Sequence, residues 1–380
     1  MYADEILRPW LEAALSLVPG VRLFDAHTHT GSSDPDGFKA TADELVAGLD
    51  LAGARAVVFT TQEPGGYPEA NDRVIAEAEA SGGKLVPFCR LDPADEPLAE
   101  AERALGRGAR GIKLHPRAEG FRLDDERLAP VFALADERRL PVLTHAGRGI
   151  PALGEDALAV CGRHPGLRLI LAHDGVSDLG WIWRHAADHP NLYFDTSWWS
   201  TTDHLTLFGL VPPGQILFAS DMPYGTTTVG AIMALRCALQ AGLRPEQVGF
   251  VAGGQLERLV AGEEPEDLGP APGNQELRLD VVTQRIHDYC VAALSRMLIG
   301  DPARDYVGLA RLACVMGEGT PHGAVGESVL RLLDAIDDFV ASTDYRPPEA
   351  GAPGPRLPYP AISIVVIAAN VAMTPDVAVP

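Results

Sequence analysis

Asp25-Ala26-His27-Thr28-His29 sets two imidazoles at alternate positions of a short run that reads as a strand. Alternate residues of a strand share a face, so His27 and His29 point the same way while Thr28 points away. Two such imidazoles can hold one metal ion, or they can be a hydrogen-bonded surface pair. His145, His173 and Asp221 favour the ion. Each ends a different apolar run, just before a Gly- or Pro-containing turn, in HAG, HDG and SDMP. Imidazole and carboxylate donors suit Zn, Mn, Fe or Co, and a nitrogen-rich, low-coordinate set favours Zn. A bound dication lowers the pKa of its water from about 15.7 toward about 7. Asp221 can accept the water proton, and an imidazole such as His173 can move a proton near neutral pH. The ion or His173 can also polarise the attacked carbonyl.

Other residues at the same run ends could bind a substrate. Lys113 and His115 share a face. Lys113 reads as a cation for a substrate carboxylate or as a lysine reaching a solvated mouth. His115 precedes Pro116 and reads either as a substrate contact or as turn packing. Arg90 and Arg148 could grip an anionic group with two parallel hydrogen bonds, or form structural salt bridges. Asp195 is expected to order the rim through hydrogen bonds. Trp198, Trp199 and Tyr224 could wall a pocket or pack under a loop. His287 and His322 have no companions at metal-ligand spacing and read as ordinary helix and loop residues.

These side chains need a frame that brings distant chain segments together. Apolar, β-branched runs recur at 22–31, 54–60, 84–93, 109–116, 141–147, 168–175, 191–197 and 215–225, separated mostly by helix-like stretches. Nearly continuous apolar runs that turn polar at their C-terminal ends are the mark of buried parallel strands. Thr41 with Glu44 forms a capping box before one helix. Leu128, Val131, Phe132, Leu134 and Ala135 line one face of another. Strand-helix alternation of this kind predicts an α/β fold, a (β/α)8 TIM barrel, whose strand ends converge at one mouth. An open doubly wound sheet would gather its ligand at one switch point instead, and here at least five strand ends carry polar residues.

The expected organisation is an N-terminal helix over residues 1–21 packing on the barrel, the barrel over 22–262, and a mostly helical C-terminal extension over 263–380 of unknown role. An acidic Pro/Gly-rich linker at 262–275 marks the change. Beyond it three segments have helical spacing, a Pro-rich stretch follows (RPPEAGAPGPRLPYP), and AISIVVIAANVAM reads as a strand. The extension's apolar faces must pack on the barrel or on a second subunit, which leaves a homodimer open.

The chain of 380 residues carries a net charge of -21, which argues against nucleic acid and membrane surfaces as partners and leaves a small-molecule substrate. An anionic substrate is still compatible, because an ion and local cations dominate the field inside a pocket. The five cysteines are scattered without a CxxC and are expected to be free thiols in a reducing compartment. The N-terminus lacks the features of a signal peptide, so a cytoplasmic location is expected.

The motifs DAHTH, GIKLHP, PVLTHAG, LILAHDG, YFDTS and LFASDMPYG together resemble the amidohydrolase superfamily. The resemblance is to the amidohydrolase-related branch of metal-dependent hydrolases, lactonases and aminocarboxymuconate-semialdehyde-type decarboxylases. GGQLERL is similar to the last barrel helix of that family, with Gln255 where an Asn is common. The resemblance covers roughly residues 22–260. It implies that His27, His29, His145 and Asp221 bind one divalent metal, Asp221 directly or through the water. It makes His173 the general acid/base or a ligand of a second metal. A carboxylated Lys113 bridging two metals, as in binuclear members, is the alternative to a single ion. The implied activity is water attack on a small amide, lactone or ester. Non-oxidative decarboxylation on the same barrel is the alternative, and a non-catalytic binding protein a third.

Overall fold

Eight parallel strands close into a ring whose two faces are both buried, which is why the sequence shows apolar runs rather than alternation. They are β1 (Leu23–Thr30), β2 (Ala54–Thr60), β3 in two segments (Leu85–Pro87 and Cys89–Arg90), β4 (Ile112–Leu114), β5 (Pro141–Thr144), β6 (Arg168–Leu171), β7 (Leu192–Asp195) and β8 (Ile216–Leu217). The structure, a computed structural model, describes residues 3–273, 277, 280–299, 301–317, 319–342 and 359–380. Neighbours pair in chain order, and the Phe88 N–H spans the break in β3 by donating to the Val58 carbonyl. The ring closes where Ala26 N–H donates to the Phe218 carbonyl and Asp221 N–H to the His27 carbonyl, each at 2.9 Å. The fold is thus the expected TIM barrel with a helical C-terminal region.

Alternate residues fill the barrel interior: Val57 and Phe59, Val86 and Phe88, Leu143, Ile170 and Ala172, Tyr193, Leu217 and Ala219. Leu256 and Leu259, from the helix Gln255–Val260, join this inner layer. Residues of the opposite parity, such as Val58, Leu114, Leu169 and Phe194, face the surrounding helices. β1 departs from this parity. Phe24 and Ala26 belong to the inner layer, yet the His27 and His29 rings also contact the inner Phe59. A register shift against β2 between Asp25 and Thr28 explains it: the extra residue switches the inward face from even to odd positions.

The connecting helices carry the expected signals. Thr41 and Glu44 form the capping box, and Val131, Phe132, Leu134 and Ala135 are buried on the helix Ala129–Arg138. Gln255 is buried and ties the Gly214 and Glu266 backbones together. The N-terminal helix Asp4–Ser16 buries Leu7, Trp10, Leu11 and Ala14, and Trp10 donates to Ser328 Oγ at 2.9 Å. All five cysteines are free and buried.

Past the barrel, the helices Val281–Met297, Arg304–Cys314, Gly323–Ser342 and Tyr359–Met373 pack together, and the last of them lies on the barrel helices Thr201–Leu210 and Thr227–Gln240. Residues 361–373 were expected to be a strand and are a helix. All of them except Ser363 are buried, so the segment has no polar face. A continuous apolar run carries no period that separates a buried helix from a buried strand. The far end of this helix is fastened by Arg236, which donates to Thr374 Oγ1 and to the Thr374, Val377 and Ala378 carbonyls. Most of the Pro-rich stretch, residues 346–358, lies outside the described residues. Among the described residues no helix is long and apolar enough to cross a membrane.

Candidate metal centre

The barrel's inward parity, read to the C-terminal ends of the strands, delivers Arg90, Lys113, His145, Asp195 and Asp221 to one mouth, and the β1 register shift adds His27 and His29. A cavity of about 440 Å³ there is lined by His27, His29, Arg90, Lys113, His115, His145, His173 and Asp221. His27 Nε2 and His29 Nε2 converge on the same Asp221 Oδ1, at 3.2 and 3.1 Å.

Hydrogen bonds behind the rings fix which nitrogens face the cavity. His27 Nδ1 donates to Asp195 Oδ2 at 2.8 Å, and His29 Nδ1 faces the Thr60 carbonyl at 3.4 Å. Both rings therefore present an Nε2 lone pair. His173 Nδ1 donates to the Ser197 carbonyl at 2.7 Å, so its Nε2 accepts from His145 Nδ1 at 2.9 Å. That leaves His145 Nε2 as a buried lone pair with no partner. The His145 ring stacks on His115 with centroids 3.9 Å apart. Gly147 is required beside it, since a Cβ there would lie 2.5 Å from His145 Nε2.

Burial, reinforced by the charge of Lys113, pulls His27 and His29 well below the ordinary imidazole value. His115 and His145 are pulled down too, by burial and then by positive neighbours. Burial pushes Asp221 up to about 7, although 20% of its side chain is open to the cavity. It brings Lys113 down to about 7, against the pull of Asp221 and Asp195. These residues fit a cation. An ionised Asp221 is repelled by both imidazole lone pairs aimed at its Oδ1, and a protonated one can donate to only one of them, so a cation between the three atoms relieves the contact; Lys113 Nζ, 3.1 Å from His27 Nε2, reaches one ring of the two. His27, His29 and Asp221 also present donor atoms mutually close enough to share an ion.

The remaining expected residues fall into two groups. Arg90 lines the cavity and forms a buried pair with Glu119 at 2.7 Å, while its Nε has no hydrogen-bond partner, and Glu119 also accepts from Tyr67. His115 accepts from Ala118 N–H and so caps the short helix Pro116–Glu119. Tyr224 lines the cavity. Arg148 does not: it is exposed and absent from the cavity lining. Trp198 and Trp199 are absent from the lining, and Trp199 is 42% exposed.

Sequence reasoning missed four contributors. Ser197, two residues beyond Asp195, donates to it and lies 3.2 Å from His27 Nδ1. Asp25 accepts from the His27 and Ser220 N–H groups and from Thr227 Oγ1, so it clamps β1 to the end of β8. Asp34 reaches the cavity from the loop after β1 and accepts from the Tyr224 hydroxyl. Arg117 lines the mouth, and its signal was a cation two residues beyond the Lys113/His115 face in an acidic chain.

The family described as Amidohydrolase matches residues 24–246. No curated protein matches the chain. Among solved structures, an uncharacterized TIM-barrel protein from Bordetella bronchiseptica is 18% identical, with 64% of this chain and 99% of that chain covered and a TM-score of 0.53. A 5-carboxyvanillate decarboxylase from Sphingomonas paucimobilis is 17% identical over 64% of this chain and 99% of that one, with a TM-score of 0.50. Another, from Novosphingobium aromaticivorans and complexed with manganese, is 14% identical over 64% and 96%, with a TM-score of 0.50. At these identities the likeness is one of fold.

Proposed function

The chain belongs to the amidohydrolase family of metal-dependent enzymes, and on that premise we propose that it hydrolyses a small amide, lactone or ester. The observation that carries this reading is the convergence of His27 Nε2 and His29 Nε2 on Asp221 Oδ1. These three atoms would hold one divalent ion; His145, expected as a further ligand, bonds His173 through Nδ1 and turns Nε2 toward Gly147, so it would join them only after its ring turns. The nitrogen-rich set favours Zn. An ion in this position supplies Lewis acidity, which polarises a substrate oxygen and acidifies water.

The chain's own residues do the rest. Asp195 and Thr60 hold the two β1 imidazoles in orientation from behind. Asp221, facing the cavity, takes the proton from the attacking water and orients it. His173, fixed at Nδ1 by the Ser197 carbonyl, handles the leaving-group proton at Nε2 once its bond there to His145 Nδ1 is exchanged for the substrate. Lys113 steadies a carboxylate or a developing oxyanion.

A second reading, non-oxidative decarboxylation, is favoured by the cations at this cavity. Lys113 has no carboxylate in hydrogen-bond contact, and Arg117 waits at the rim. Together they suit a substrate carboxylate.

A panel of lactones, N-acyl compounds and aromatic carboxylates, assayed for hydrolysis and for CO2, separates the two. Hydrolysis without CO2, lost in Asp221→Ala, supports the first reading. Metal-dependent CO2 release replaces it with the second.

A further inference from the structure

Strand parity fails at one more point of the mouth. Ile170 and Ala172 face into the barrel, so the alternation of β6 should present residue 174 to the cavity and turn residue 173 into the wall. The structure has the reverse. His173, Asp174 and Gly175 have φ of 57°, 59° and 61°, a left-handed turn of three residues. The turn brings the His173 imidazole to the cavity and sends the Asp174 carboxylate outward to the helix Thr201–Leu210.

Left-handed backbone is disfavoured for residues with a Cβ, so two in succession must be held by something outside the turn. Gly175 is of no help in replacing them: a Cβ there would already press on the Phe194 ring at 3.0 Å. The His173 N–H is held by Asp195 Oδ1 and Ser197 Oγ, and the second residue of the turn is held through its side chain by a hydrogen bond from His204 Nδ1 to Asp174 Oδ2 at 2.6 Å, between two side chains that are fully buried. Neither side chain makes another hydrogen bond among the described residues. Asp174 Oδ1 and His204 Nε2 are both without a partner. His204 does not line the cavity, and its helix abuts the C-terminal helix, where Asn370 Nδ2 lies 3.5 Å from Thr201 Oγ1.

We propose that His204 is a positioning residue for His173: its bond to Asp174 locks the left-handed turn, and the turn holds the His173 imidazole between the Ser197 carbonyl and His145. The inference rests on the reading of His173 as the proton-handling group, and it concerns that ring's orientation rather than the reaction.

The test is the ring tautomer of His173, read by NMR of the metal-free, full-length chain labelled with 15N-histidine. The wild type shows the fixed Nδ1–H form demanded by the Ser197 carbonyl. His204→Phe keeps a buried ring and removes the donor, and His173 then shows an averaged tautomer. His204→Asn returns an N–H to the place of Nδ1 and restores the Nδ1–H form. A purely structural histidine would lower stability in both variants and leave the His173 signal alone. Asp174→Gly is the second route, because glycine accepts the turn without strain while the carboxylate is lost, and it too gives an averaged signal. An unchanged Nδ1–H signal in His204→Phe overturns the proposal. So does an unchanged signal in Asp174→Gly if the Phe variant does not fold, or failure of the Asn variant to restore the signal. Absence of turnover on every substrate would count against the proposed reaction and leave this result untouched.

Discussion

His27 donates from Nδ1 to the buried carboxylate of Asp195 at 2.8 Å, and that bond turns its Nε2 toward Asp221. The same carboxylate accepts from the His173 and Ser197 N–H groups through Oδ1. One residue at the end of β7 therefore orders the His27 imidazole and holds the main chain of His173. Removing such a partner of a metal-binding imidazole costs about 10- to 100-fold in metal affinity. Asp195→Ala should weaken metal binding by that factor, measured by competition with a chromophoric chelator. Affinity equal to wild type would remove Asp195 from the account.

Arg90 and Glu119 decide between two roles at the mouth. Their side chains are 2% and 4% exposed, so the pair is buried rather than poised in solvent. Breaking a buried pair from one side typically costs about 3–5 kcal/mol. Glu119→Ala should lose stability of that order in denaturant unfolding of the metal-free protein. A loss below about 1 kcal/mol, the range of exposed pairs, would mean that Arg90 is free for substrate after all.

Arg236 fastens the last helix of the C-terminal extension to the barrel at its far end. Burial pulls its guanidinium down to about 10, so it remains charged at neutral pH. Its counter-groups are backbone carbonyls and a hydroxyl of residues 374–378 rather than a carboxylate. Arg236→Met keeps much of the side-chain volume and strands those acceptors, at about 1–3 kcal/mol for each one left dry. A Tm lower by about 5 °C or more is expected in calorimetry. An unchanged Tm would show that the extension is held elsewhere.

The sequence makes the barrel legible because burial on both strand faces leaves apolar runs, and the site legible because those runs end in His, Lys or Asp at inward positions. It conceals what breaks the alternation. The β1 register shift between Asp25 and Thr28 leaves no residue-type signature, and neither does the left-handed turn at His173 and Asp174. Arg148 follows β5 closely, which suggests an anion contact, but its side chain is exposed and does not line the cavity. Residues 361–373 misled because a helix buried on all sides has no polar period, and β-branched residues then suggest a strand.

The central claim is that His27, His29 and Asp221 share one ion. It is tested most directly by metal analysis of the purified protein beside His29→Ala and Asp221→Ala, each first shown to fold by circular dichroism. The account predicts about one equivalent of a divalent metal, most of it lost in either variant. Full metal content in both variants, or a wild-type chain that takes up no divalent ion, would contradict it.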